Sequence, residues 1–181
     1  MLMILATMLA TGPANAGCDS LVRRAAASSG SALATNFKAL ARCSQDEADV
    51  AFDSLLPRAK NVQTLVDLSM AAIDTDVWNP VWSVLGHEAL SYDVRDRISD
   101  AIGSQCGSNP KIIAFLKGAY FALRDIQFQQ WDDALIACQS SDLDGWIVEQ
   151  SMNVPSSLFD EKYNALLGVL VSRKGADALP T

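Results

Sequence analysis

The chain has 181 residues, half of them apolar and 19% charged, a composition that supports a packed core and excludes a disordered chain. Formal net charge is −7, from 14 basic and 21 acidic residues. That balance argues against binding to nucleic-acid phosphates, which needs a basic surface, and leaves neutral or cationic partners.

The first stretch reads as an export leader. Met1 to Thr11 carry no charge and include Leu2, Ile4, Leu5 and Leu9; Pro13 then breaks the run, and Ala14-Asn15-Ala16 fits a small-x-small cleavage site. Residues 1–16 are expected to be a signal peptide, although no Lys or Arg precedes the apolar run. Ala16-Gly17-Cys18 offers an alternative, a lipid-anchored cysteine, with Asn15 standing where an aliphatic residue is usual. All four cysteines, Cys18, Cys43, Cys106 and Cys138, follow the leader. An even count in an exported chain predicts two disulfides, and neighbours along the chain, Cys18 with Cys43 and Cys106 with Cys138, are the favoured pairs. With a single histidine and no Cys-x-x-Cys pair, a structural zinc site is not expected.

Residues 17–173 read as one all-α domain. Helices are predicted over 19–28, 32–42, 45–56 and 61–73, the third opened by Gln45-Asp46-Glu47 and followed by Pro57. Asn79-Pro80 and Asn109-Pro110 open two more, to about Leu90 and Leu123, because proline suits the first helical position. Asp93, Asp125 and Ser157 are read as N-caps of further helices, with another beginning at Ser141 or Asp142, and residues 174–181 as a loose tail. No stretch alternates with period two, so no sheet is predicted.

The caps recur. Asn61-Val62, Asp93-Val94, Asp125-Ile126 and Ser157-Leu158 follow one another at about 32 residues, and Met70, Ile102, Ala134 and Leu166 stand nine places after each cap. A period of this size predicts a stacked repeat, in which one helical unit cannot bury its apolar face alone. Cys106 and Cys138 hold the same place in consecutive units. Stacked helices lie roughly 8–10 Å apart, so a bridge between them requires both cysteines to sit at helix ends.

Asp93-Val94-Arg95, followed by Ile98, Ala101, Ile102 and Gly103, resembles the second helix of a HEAT repeat of the short bacterial type. The resemblance covers residues 76–106 and is fainter at 61–74, 125–138 and 157–170, where Gln63, Gln127 and Phe159 stand in place of Arg95. It implies a right-handed α-α superhelix with protein-binding habits, an Asp and Arg that stitch neighbouring repeats together, and no enzymatic activity. The alternative is a compact helical bundle tied by two disulfides.

The function expected on this reading is an exported protein-binding module in a bacterial envelope, periplasmic or secreted, with an inhibitor or immunity protein as a specialised version. Its binding face would present Arg95, Arg97, Gln127, Gln130 and Glu161 near the aligned helix starts. The competing reading is an enzyme with a site in Trp78–Tyr92, resting on His87 and Glu88; neighbouring helical residues point about 100° apart, so the pair need not cooperate. Trp78, Trp82, Trp131 and Trp146 read first as core filling between repeats and second as a recognition surface. Asp93, Asp96, Asp100, Asp132 and Asp133 lack the ordered ligand spacing of a calcium loop. No phosphate loop, nucleophile elbow or His-Glu-x-x-His is present, and no cofactor is expected.

Overall fold

The computed structural model describes residues 18–85, 90–122, 128–153 and 160–175. These form ten α-helices and no strand: α1 (Asp19–Ala27), α2 (Ser31–Cys43), α3 (Gln45–Leu55), α4 (Val62–Asp74), α5 (Asn79–Leu85), α6 (Tyr92–Gln105), α7 (Pro110–Ala122), α8 (Phe128–Ala137), α9 (Ser141–Ser151) and α10 (Glu161–Lys174). The leader, His87, Glu88, Asp125, Gln127 and Ser157 lie outside the described residues.

Local chemistry sets several starts. The Ser44 side chain accepts from the Glu47 N–H at 3.2 Å, and Asp46 and Glu47 place negative charge on the first turn of α3. Asn61 Oδ1 accepts from the Thr64 N–H at 2.8 Å and opens α4. At α7, Asn109 Oδ1 accepts from the Lys111 N–H at 3.0 Å, with Pro110 as the first helical residue. Two expected caps are corrected. The N-cap of α6 is Ser91, and Asp93 sits two residues further in, within the first turn, where its charge still suits the helix dipole. Asp160, rather than Ser157, caps α10: its Oδ1 accepts from the Tyr163 N–H at 2.9 Å. Lys174, placed in the tail by the sequence, is the last residue of that helix.

The even-numbered helices touch in succession, α2 on α4, α4 on α6, α6 on α8 and α8 on α10. The odd-numbered helices pack behind them, with α1 on α3, α3 on α5, and α7 on α9. Helix α4 is the most deeply sunk, burying Leu65, Leu68, Ala71, Ala72 and Ile73. Aromatic contacts join the two rows. Phe37 of α2 meets Phe52 of α3 edge-on at 5.5 Å, and Trp131 of α8, wholly buried, lies 5.7 Å from Tyr120 of α7. The Trp131 indole N–H donates to the Leu116 carbonyl at 2.9 Å, so its one polar atom is satisfied inside the core.

Both expected disulfides are present. Cys18 pairs with Cys43 at a Cα separation of 5.9 Å, and Cys106 with Cys138 at 5.3 Å. Cys106 opens the 3-10 turn after α6 and Cys138 directly follows α8, so both sit at helix ends. Gly103 brings those ends together. A Cβ there would lie 2.6 Å from Ala137 Cβ and 2.7 Å from the Ala134 carbonyl, closer than real side chains approach.

Candidate functional site

The exposed side of the even row carries two shallow grooves, one on each flank of α4. The larger, about 630 Å³, runs between α4 and α6 and is lined by Asn61, Val62, Gln63, Val66, Arg97, Asp100, Ala101 and Gln105. The smaller, about 340 Å³, lies between α2 and α4 and shares Gln105; Ser31, Thr35 and Lys38 face Asp67, Met70 and Asp74 across it. Val62, Val66 and Ala101 supply an apolar floor, and the polar side chains supply the rim.

Most of the rim is held in place. Gln63 Nε2 donates to Asp67 Oδ1 at 2.9 Å along α4. Asp74, at the end of α4, accepts from Lys38 Nζ at 2.6 Å and from Asn109 Nδ2 at 2.8 Å. The turn that follows is tied as closely: Lys111 Nζ donates to the Asp74 carbonyl at 2.7 Å and to Asp76 Oδ2 at 2.8 Å, and Gln45 Nε2 donates to the Thr75 carbonyl at 2.9 Å. This knot holds Asp76 at φ 61, a left-handed conformation that a non-glycine residue adopts only when its surroundings fix it. Arg97 differs. It is exposed and takes part in none of the ion pairs formed among the described residues.

Of the two expected binding-face residues whose side chains are described, Arg97 lines a groove and Arg95 does not. Arg95 is half-buried and turned toward the preceding helix, where its Nη1 lies 3.5 Å from the Leu85 carbonyl; its Nε is buried without a partner. Gln130 belongs to α8 and Glu161 begins α10, but their side chains, like the whole of Gln127, lie outside the described residues. His87 and Glu88 lie outside them as well. Trp78 and Trp82 pack on Phe115 of α7 at 6.2 and 6.0 Å, and Gly118 leaves room for the Trp78 ring, whose nearest carbon would stand 3.0 Å from a Cβ there.

Asp100 of α6 lines the larger groove, and Asp132 and Asp133 lie on α8. Burial first, then the neighbouring charge of Asp133, raises the Asp132 carboxyl to about 7. Among the described residues, no group of three His, Cys, Asp or Glu side chains is placed to hold a metal ion.

Sequence reasoning missed a second polar centre, at the other end of the molecule. The Arg173 guanidinium of α10 donates to the Leu135 carbonyl at 2.7 Å and to the Cys138 carbonyl, capping the end of α8, and its Nε donates to Asp144 of α9 at 2.9 Å. Lys174 pairs with the same carboxylate. Burial alone would raise the Asp144 carboxyl, but the hydrogen bonds from Lys174 and Arg173 outweigh it and hold the group below its usual range.

Comparison with protein-family models, with curated proteins and with solved structures finds no match to this chain.

Proposed function

We propose that this protein is an exported protein-binding module, built as a short α-solenoid of the HEAT-like kind, and that it takes its partner on the grooves flanking α4. The observation that carries this reading is the groove between α4 and α6. It combines an apolar floor of Val62, Val66 and Ala101 with an exposed guanidinium, Arg97, that the chain leaves unpaired among its described ion pairs. Such a recess accepts an aliphatic side chain and offers a charged contact beside it, the make-up of an interface anchor. Successive contact along the even row supports the solenoid, since each unit leans mainly on the next.

The two disulfides support export, because such bridges persist in oxidising compartments. No helix among the described residues is long and apolar enough to cross a membrane. The Cys18 sulfur is occupied by the bridge to Cys43, which favours a free molecule over one tethered by lipid at that position.

The test is affinity capture from the envelope fraction of the producing cell, with the oxidised protein as bait beside two variants. Arg97→Glu is expected to weaken retention of a stoichiometric partner by tenfold or more, about 1.4 kcal/mol. Val50→Glu, on the outer face of α3 where Val50 is 82% exposed, is expected to leave retention unchanged. Equal retention by wild type and Arg97→Glu would remove the groove as the binding surface.

A further inference from the structure

The two disulfides differ in how they can be reached. Cys18, Cys106 and Cys138 are each 0% exposed, so the Cys106–Cys138 bridge is sealed from both sides. Cys43 is the exception. It is exposed at the last position of α2 and lines a recess of about 500 Å³, together with Arg42, Ser44, Gln45 and Lys111. The Cys18–Cys43 bridge is therefore open to approach through one of its two cysteines only.

These two cysteines also sit at opposite kinds of helix end. Cys18 is the N-cap of α1, and its carbonyl accepts from the Leu21 and Val22 N–H groups at 2.8 and 3.0 Å. The positive end of the helix dipole stabilises a thiolate there, an effect that Asp19 in the same turn partly offsets. Cys43 ends α2, where the dipole disfavours negative charge. Thiol–disulfide exchange proceeds by attack of a thiolate on one sulfur, and runs faster when the expelled thiol has the lower pKa. Access and helix polarity thus select one direction, attack on Cys43 and departure of Cys18. In the recess, the Asp74 and Asp76 carboxylates are paired with Lys38 and Lys111. Arg42 makes none of the described ion pairs and offers its charge to an arriving thiolate.

We propose that Cys18–Cys43 is a thiol-exchange site whose opening releases the start of α1, and that Cys106–Cys138 is a permanent tie. An external thiolate forms a bond to the Cys43 sulfur. The electron pair of the broken S–S bond leaves with Cys18, which then takes a proton from water. A second thiolate displaces the first from Cys43, so two external thiols become one disulfide and the bridge becomes two thiols. Little besides the bridge holds α1 in place. It has nine residues, of which Ala25 alone is buried, with Leu21, Val22 and Ala26 partly buried against the core. A helix this short does not persist unaided. Its far end stays attached where Asn36 Nδ2 donates to the Ser28 hydroxyl at 2.8 Å, with Gly30, at φ 57, as the pivot. Release lifts the start of α1 off α2 and α3, the helices on which it packs. The exchange site is independent of whether the grooves bind a partner.

The full, oxidised protein, kept folded and treated with reduced glutathione, tests this. Free thiols are blocked with a maleimide at intervals, and the adducts are located by peptide mass. The Cys18–Cys43 bridge is expected to open roughly a hundredfold or more faster than Cys106–Cys138, because a sealed bridge reacts only through the small fraction of molecules that have opened. The glutathione adduct is expected on Cys43. In the singly reduced protein, amides of residues 21–27 of α1 should lose hydrogen-exchange protection, while those of residues 102–105 of α6, beside the intact bridge, keep theirs. Opening of both bridges at one rate, opening of neither in the folded protein, or an adduct on Cys18 would overturn the exchange site. Unchanged protection over residues 21–27 would overturn the release of α1.

Discussion

Arg173 ends α8 in the way a capping residue would, except that it arrives from another helix. Its side chain is 9% exposed and supplies donors to carbonyls that the helix geometry leaves unsatisfied, while anchoring Asp144. Arg173→Ala would strand these acceptors and is expected to cost about 2–3 kcal/mol, discounted because Asp144 keeps access to water. The measurement is a urea midpoint that falls at unchanged slope. The pH dependence has a definite sign. The Asp144 carboxyl is held below its usual range, so its contribution is present above the ordinary carboxylate range and lost as pH falls through the lowered value. The gap between wild type and Arg173→Ala should therefore narrow in acid. Neither this Arg173–Asp144 centre nor the knot around Asp74–Asp76 was legible in the sequence. Their partners stand 29 to 38 residues apart, and a lone arginine or lysine at such a distance carries no local pattern. Arg97 was legible only through the period, which put it beside the aligned helix starts. The same alignment also nominated Arg95, whose side chain packs back on α5's end instead.

At the scale of elements, starts marked by a side-chain acceptor were readable in advance. Asn61, and Asn109 with its following proline, open helices where the sequence placed them, because a carboxamide beside a free backbone N–H leaves few alternatives. Asp93 misled because acidic residues are favoured both at the cap and in the first turn, so composition alone does not separate the two positions. Gly103 was legible as part of the family-like stretch, but its purpose was not: it lets α8 approach α6 closely enough for Cys106 to reach Cys138. Gly103→Ala adds a methyl against backbone and Cβ atoms rather than against a flexible side-chain tip. It is expected to destabilise the protein by about 1–3 kcal/mol, despite the better helix propensity of alanine. Thermal unfolding of the oxidised protein measures this, and an unchanged or raised midpoint would show that the two helices can part at no cost.

Across the whole molecule, helix content and disulfide pairing follow from composition, periodicity and cysteine order. The superhelical arrangement that we propose rests on succession of contacts and has its own test. In a stack held mainly by neighbouring contacts, stability is a sum over units and their interfaces. Under increasing urea, exchange protection is then expected to fall in steps from the ends of the row inward, with α4 last. A closed bundle would lose protection in all helices together. A single concerted transition would therefore decide for the bundle and against the stack.

Each bridge joins cysteines that are consecutive in the chain. A polypeptide threaded amino-terminus first into an oxidising space exposes Cys18 and Cys43 before either remaining thiol arrives. On the export that we propose, oxidation in order of emergence would yield the native pairs with no wrong partner to undo.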